Sequence, residues 1–146
     1  TEGIQLLNKF GKVSLQRLET CTPAIVAVCT EAIKRTPYLC KITTLVVPDL
    51  TIICGFRNQV QQQAAFDAGL SQVKWPNSKH NSNPSRAVDL GIYISSLPGH
   101  IPWSSPLIWK AQHSLIKEVA DELNIKLRYG IDFESFWDAP HIEEVT

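Results

Sequence analysis

Residues that can bind a metal ion occur in two separate parts of the sequence, and the first part joins a polar loop to a strand. His80 lies in the loop, and Asp89 lies within residues 86–94, whose pattern is typical of a strand. Because alternate residues of a strand share a face, Asp89 is expected beside Ala87 and Gly91, with open space around its carboxylate. Such a carboxylate could reach a metal or a substrate, although an exposed Asp on a solvated strand face explains the same pattern.

The second part is a short segment that carries Asp138 and His141 on either side of Pro140. Proline disfavours helical geometry at Ala139, so these two residues are not expected on a helix. In a straight strand, their offset of three would place the two side chains on opposite faces. They can converge only if a turn separates them, and the Ala-Pro step is a suitable place for one. In isolation, a capping Asp and a hydrogen-bonded His explain the segment about as well.

Taken together, His80, Asp89 and His141 form a set of two imidazoles and one carboxylate. These ligands suit zinc, and catalytic zinc sites keep three protein ligands and one open position for water. Asp138 precedes one of the ligands by three residues and could accept the proton from that water. Because a metal lowers the pKa of its water to about 7, Asp138 would need no strongly shifted pKa of its own.

A mixture of helices and strands must position these residues. Apolar periodicity predicts a first helix that begins at Leu15 with Ser14 as its cap and that Pro23 breaks or kinks. The remaining pattern predicts helices at residues 58–68 and 106–123 and strands at residues 50–54, 86–94, 125–129 and 140–145. Because these elements show no regular βαβ repeat, the sequence predicts an α+β fold with a small antiparallel sheet and packed helices.

The composition narrows the function classes. The chain has 146 residues, 14 basic and 14 acidic side chains and a net charge of zero, which is the size of one domain spanning residues 1–146. It lacks the basic excess of nucleic-acid-binding and polybasic membrane-surface proteins, and no apolar stretch is long enough for stable membrane insertion. The first five residues do not lead into an apolar run, so no signal peptide is predicted and folding in a cytoplasm is expected.

The four cysteines, at positions 21, 29, 40 and 54, match no paired metal-binding spacing. Cysteines behave as small apolar residues when buried. Buried free thiols are therefore expected, and a disulfide framework is the alternative if the compartment is oxidising.

The ordered motifs resemble a known family, the zinc peptidases that cleave D-alanyl-D-alanine or L-alanyl-D-glutamate bonds in peptidoglycan stem peptides, and most closely its phage endolysin branch. The family's signatures are Gly-aromatic-Arg, Ser-x-His, Ala-x-Asp and Asp-x-Pro-His. They are present here as Gly55-Phe56-Arg57, Ser78-Lys-His80, Ala87-Val-Asp89 and Asp138-Ala-Pro-His141. The resemblance spans about residues 14–143, although the loop between the first His and Asp is longer than is common in the family. The extra length is expected to alter the rim of the cleft and not the ligand geometry.

The resemblance implies a hedgehog/DD-peptidase-like fold with zinc bound by the ligand set described above. It implies that Asp138 is the general base for the water and then the acid for the leaving amine. Arg57 would polarise the scissile carbonyl or steady the oxyanion, and Ser78 would contact the substrate. A surface ion pair for Arg57 and a turn-forming hydroxyl for Ser78 are the alternatives.

The expected function is therefore that of a monomeric, zinc-dependent endolysin that hydrolyses the L-Ala–D-Glu bond of peptidoglycan stem peptides. Asp138, where some carboxypeptidase members have Glu, favours the endopeptidase branch over D-Ala–D-Ala carboxypeptidase activity. A zinc-containing module that binds cell wall without cutting it, or a phage structural protein without zinc, is the alternative from another class. The resemblance and the missing signal together predict that the protein stays in the host cytoplasm until a separate pore-forming protein opens the membrane.

Overall fold

The fold, taken from a computed structural model that describes residues 8–145, combines helices and short strands. The helices are α1 (Lys12–Leu18), α2 (Pro23–Lys34), α3 (Gln59–Asp67) and α4 (Pro106–Glu122). The strands are β1 (Tyr38–Leu39), β2 (Val46–Val47), β3 (Leu50–Cys54), β4 (Ala87–Ile92), β5 (Leu127–Tyr129) and β6 (His141–Glu144). Single-turn 3-10 helices cover Lys79–Asn81 and Gly130–Asp132. The signal-peptide prediction concerns the first five residues, which lie outside the described range. Within that range, no helix is long and apolar enough to cross a membrane.

The four strands β3 to β6 form one antiparallel sheet in the order β3-β4-β6-β5, while β1 and β2 pair separately. All six residues of the internal strand β4 are buried. Asp89 of β4 is paired with His141 of β6 on one side and with Cys54 of β3 on the other. The predicted α+β class with a small antiparallel sheet is confirmed, and its register places two predicted metal ligands next to each other.

One face of the sheet carries the hydrophobic core. Val88 and Leu90 of β4 and Ile142 of β6 belong to this core, α4 contacts β4, and α2 packs on α4. Because strand residues alternate between faces, Asp89 and His141 lie on the opposite face. The apolar residues thus fix the strands in place, and the polar residues between them build the other side.

The face that carries Asp89 is largely covered, and the open space predicted beside its carboxylate is a cavity of about 670 Å³ that Asp89 lines, not a solvated surface. Asp89 is 7% exposed and Ala87 is fully buried. A side-chain carbon added at Gly91 would lie 3.3 Å from Ile101, which belongs to the segment between β4 and α4. The segment between β4 and α4 therefore covers part of this face, and the interpretation of Asp89 as a solvated surface residue is wrong.

The first predicted helix is divided in two and begins earlier than predicted. α1 starts at Lys12 after Gly11, and Pro23 is the first residue of α2, as the predicted break requires. Ser14 lies inside α1, so the prediction that it caps the helix is wrong. Its hydroxyl instead accepts a hydrogen bond from the Ile52 N–H at 3.0 Å and so links α1 to β3. The other two predicted helices agree with α3 and α4 to within one residue at each end.

All four cysteines are free, as predicted. Cys21, Cys29 and Cys40 are buried, and Cys54 at the end of β3 is partly exposed. Burial raises the pKa of the Cys21 thiol to about 11. Because the thiolate is the reactive form, Cys21 is a packing residue rather than a nucleophile.

Candidate metal centre

The loop that carries His80 is held in place by a small network of polar side chains. The Ser78 hydroxyl accepts a hydrogen bond from the His80 N–H at 3.2 Å, and the Asn81 carboxamide oxygen accepts one from the Ser78 N–H at 3.0 Å. The His80 carbonyl accepts from the Arg57 N–H at 2.9 Å. These bonds form a capped single turn, which turns the His80 side chain inward until it is only 2% exposed.

Three ligand atoms converge between this turn and the sheet. Nε2 of His80 lies 3.2 Å from Oδ1 of Asp89 and 3.2 Å from Nδ1 of His141. Nδ1 of His141 lies 3.1 Å from the same Asp89 oxygen. A tetrahedral zinc ion with ligand bonds of about 2.0–2.1 Å separates its ligand atoms by about 3.3 Å. The observed triangle therefore has the size of one face of a tetrahedral metal site, and these three residues could hold a metal ion.

The outer nitrogens of the two imidazoles already have acceptors. Nδ1 of His80 donates to the Gly55 carbonyl at 2.7 Å, and Nε2 of His141 donates to Oε1 of Glu143 at 2.8 Å. These bonds fix tautomers in which His80 Nε2 and His141 Nδ1 present lone pairs to the Asp89 oxygen. Three lone-pair atoms that face one another in a buried site need a cation between them. Two imidazole nitrogens and one carboxylate oxygen are suitable ligands for a metal ion.

Protons occupy this position when a metal does not. Burial by itself lowers the pKa of His80, but the charge of Asp89 and its hydrogen bond outweigh burial and raise the pKa to about 10. The same balance, with Glu143 as an additional acceptor, raises the pKa of His141 to about 9. Burial raises the pKa of Asp89, yet the two imidazoles hold it well below its usual range. Metal binding must therefore displace protons from the histidines.

Glu143 accepts a hydrogen bond from the nitrogen of His141 that faces away from Asp89. Glu143 was not predicted as a site residue from the sequence. It is 7% exposed, and besides His141 it contacts Lys79 Nζ at 3.1 Å and Arg128 at 3.5 Å through Oε2. Burial raises the pKa of Glu143, but His141 and Lys79 outweigh it and bring the pKa to about 2. The signal that could have found it is its position two residues after His141, on the same face of a predicted strand.

Asp138 lies beside the ligand triangle but not in it. Its Oδ2 is 3.9 Å from Nδ1 of His141, and its carbonyl accepts the His141 N–H at 3.1 Å, so a turn does bring the two residues together. The Asp138 N–H in turn donates to the Gly130 carbonyl at 3.0 Å. Burial and then the charge of Asp89 raise the pKa of Asp138. A partly buried carboxylate with a raised pKa at this position suits proton transfer.

Arg57 reaches the centre from the loop before α3. Its guanidinium contacts Oδ2 of Asp89 at 3.3 Å and Oε1 of Gln62 at 3.4 Å. The Gln62 side chain is fully buried, and its Nε2 donates to the Val73 carbonyl at 2.8 Å, which fixes the direction of the amide. The ion pair considered as an alternative for Arg57 exists, but it is formed with a candidate metal ligand rather than on the surface. Gln62 was missed because nothing in a glutamine-rich helix distinguishes it.

Two cavities meet at the centre and share Arg57, Leu70, Phe136 and Asp138. The larger, of about 670 Å³, has aromatic walls that include Trp103 and Trp137, both about half exposed. The smaller, of about 360 Å³, is polar, and its lining includes Ser78, Lys79, His80, Arg128, His141 and Glu143. Each site residue predicted from the sequence therefore lines one or both of these cavities.

Comparison with known proteins places this arrangement in a family. The family model described as phage L-alanyl-D-glutamate peptidase matches residues 6–145. The L-alanyl-D-glutamate peptidase of Escherichia phage T5 is 32% identical over 131 residues, which cover 89% of this chain and 85% of that protein. The crystal structure of the Serratia marcescens L-Ala D-Glu endopeptidase ChiX superposes with a TM-score of 0.69 at 21% identity, covering 99% of this chain and 92% of that one. The structural match supports the fold, and the two sequence matches support the family.

Proposed function

The chain belongs to the phage L-alanyl-D-glutamate peptidase family, and on that premise we propose that it hydrolyses the L-Ala–D-Glu bond of peptidoglycan stem peptides at the centre formed by His80, Asp89 and His141. The chain is a peptidoglycan-cleaving enzyme, and the family membership predicted from its sequence motifs is confirmed. The observation that carries the assignment of the site is the triangle of three acceptor atoms, 3.1 to 3.2 Å apart, at the meeting point of two cavities. A domain of this kind extending over residues 1–146 is part of the proposal.

Zinc is the metal that we propose for this centre. Two imidazole nitrogens and one carboxylate oxygen are ligands that zinc accepts, and three protein ligands leave one position open. When bound, zinc would supply Lewis acidity and lower the pKa of water to about 7. The hydrogen bonds from His80 to Gly55 and from His141 to Glu143 hold both rings with their lone pairs directed at this position.

The chain's own residues supply the remaining chemistry. Asp138 is proposed to accept the proton of the attacking water and then to give it to the leaving amine of D-Glu. Its raised pKa and its position 3.9 Å from His141 support both roles. Arg57, held by Asp89 and Gln62, is proposed to place a fixed positive charge where the scissile carbonyl oxygen becomes negative.

Ser78 is proposed to contact the substrate from the rim of the smaller cavity. Its hydroxyl also accepts the His80 N–H, so the turn-forming role considered as an alternative is present at the same time. A hydroxyl can donate to a substrate oxygen while its own oxygen accepts from the backbone, because it carries one donor and two lone pairs. The two roles of Ser78 are therefore compatible.

Where the enzyme acts follows from the family rather than from the fold. We propose that it is monomeric, neither binds nucleic acid nor inserts into the membrane, and waits in the host cytoplasm until a separate pore-forming protein admits it to the cell wall. The match to phage peptidases and the balance of 14 basic and 14 acidic residues support this proposal.

Digestion of purified peptidoglycan, followed by mass spectrometry of the products, tests the proposed function. Cleavage of L-Ala–D-Glu bonds exposes new D-Glu amino termini, and this signal should vanish with a chelator and return with zinc. Release of free D-Ala would instead identify a carboxypeptidase. Binding to sacculi without new amino termini would identify a non-cutting module, and either result would overturn the proposal. Retention of activity after exhaustive chelation would refute the metal-dependent mechanism alone.

A further inference from the structure

The two cavities differ in charge, and we propose that this difference sets the direction of the bound stem peptide, with Arg128 binding the free α-carboxylate of D-Glu. The inference rests on the proposed function and adds to it a specificity-determining residue. It implies that the enzyme prefers stem peptides with a free D-Glu carboxylate to those in which this group is amidated.

The larger cavity is unsuited to an anion. Its walls include Trp103, Trp109, Trp137 and Phe136, together with the alanine side chains of α3. Its charged lining is Arg57 together with the acidic Asp89 and Asp138, so a carboxylate placed there would lose its water and face two like charges, which is costly. The uncharged L-Ala side of the scissile bond, which continues into the lactyl group and sugar, can bury apolar surface against the same walls. The larger cavity therefore suits the amino-terminal side of the bond.

The smaller cavity has the opposite character because two cations and one carboxylate meet at its wall. Lys79 and Arg128 both contact Oε2 of Glu143, at 3.1 and 3.5 Å. Lys79 also donates to the carbonyl of Glu144, so its donors are largely used within the fold. Arg128 is 60% exposed in its side chain and lies over the Phe133 ring, with the guanidinium carbon 5.2 Å from the ring centroid. Its guanidinium is held on one side and has further N–H groups for a ligand.

The sheet register places Arg128 at a suitable distance from the reacting bond. Arg128 is paired with Glu143 across the β5–β6 ladder, and His141 lies two residues before Glu143 on the same face. Diagonal neighbours of this kind have backbones about 7–8 Å apart, which a long side chain can span. In the substrate, the α-carboxylate carbon of D-Glu lies three bonds from the scissile carbonyl carbon, at about 4 Å. A peptide whose scissile bond is at the metal centre can thus bring this carboxylate to Arg128.

Paired substrates give the test. Two synthetic muramyl tetrapeptides are compared, identical except that the D-Glu α-carboxyl group is free in one and amidated in the other. Zinc-loaded wild type, Arg128→Gln and the charge-matched control Lys117→Gln, which removes an exposed lysine paired with Asp121 on α4, are assayed for kcat/KM on both. Zinc content is measured for each variant.

For wild type and Lys117→Gln, we expect kcat/KM to be about tenfold higher on the free acid than on the amide. This is the contribution expected of one partly exposed hydrogen bond between charged groups. For Arg128→Gln, kcat/KM should fall about tenfold on the free-acid substrate and change little on the amidated substrate. The variant should therefore show no preference between the two. Equal losses on both substrates, or an unchanged preference, would overturn the inference while leaving the peptidase function intact. If wild-type enzyme cleaves neither substrate, the proposed function itself fails.

Discussion

Replacement of Glu143 by glutamine isolates the contribution of the carboxylate behind His141. The change preserves the size of the side chain and an oxygen that can accept the His141 N–H, which Glu143 accepts at 2.8 Å. It removes the negative charge, which the low pKa of Glu143, about 2, keeps in place at neutral pH. Exchange of a charge-assisted hydrogen bond for a neutral one costs about 1–2 kcal/mol. Because about 1.4 kcal/mol corresponds to a factor of ten, zinc binding should weaken roughly five- to thirtyfold.

The assay is competition for zinc between each protein and a chromophoric chelator of known affinity. Glu144→Gln is the matched control, because Glu144 is the next residue and also forms an ion pair, at 3.4 Å to Arg86, without contacting a candidate ligand. Its zinc affinity should equal that of the wild type. Thermal denaturation of the metal-free proteins checks that both variants fold. A zinc affinity for Glu143→Gln within twofold of wild type, or an equal loss in Glu144→Gln, would refute the role of Glu143 as the residue that orients His141.

Four further predictions concern the proton-transfer residue, the turn beside it, the metal and the first helix. Asp138→Asn should retain zinc and lose at least a hundredfold in kcat, whereas Asp132→Asn, an exposed control in the same region, should remain active; peptide hydrolysis assays would measure both. Gly130→Ala should weaken zinc binding and activity, because a side-chain carbon there overlaps the Asp138 carbonyl, whereas Gly11→Ala meets nothing within 4 Å. Removal of zinc should lower the melting temperature, with a stabilisation of about 4 kcal/mol at a zinc concentration a thousand times Kd, and calorimetry that shows no shift would contradict metal binding to the folded state. Ser14→Ala leaves the buried Ile52 N–H without its 3.0 Å acceptor and should cost about 1–3 kcal/mol in urea denaturation.

The sequence was most informative where a residue's chemistry and a regular backbone period coincide. Residue type marks His80, Asp89 and His141 as ligands, and the turn at Pro140 follows from proline geometry. The helices α3 and α4 were predicted to within a residue at each end, because Gly69 marks the end of the first and Pro106 the start of the second. Local information of this kind is sufficient to nominate candidate ligands, but not to place their ligand atoms 3.1 to 3.2 Å apart.

The errors arise where a contact joins segments far apart in the chain. Ser14 has the side chain of a helix cap, yet its partner is a β3 amide 38 residues away. Asp89 has small neighbours, yet one of them, Gly91, lies against Ile53 and Ile101. The strands β1 and β2 were not predicted because two residues each, Tyr38–Leu39 and Val46–Val47, are too short to show alternation. In each case tertiary packing, which the local pattern does not encode, decides the outcome.

The ion pair of Arg57 is compatible with the catalytic role proposed for this residue. Asp89 has two carboxylate oxygens, of which Oδ1 faces the histidines and Oδ2 contacts the guanidinium of Arg57 at 3.3 Å. Arginine has separate N–H groups in a rigid plane, so Arg57 can contact Asp89 through one nitrogen and Gln62 through another. A lysine has one compact charged group and could not be held from two sides in this way. The pairing with Asp89 therefore keeps a positive charge fixed at the junction of the two cavities, where we propose that the scissile carbonyl of a bound stem peptide lies.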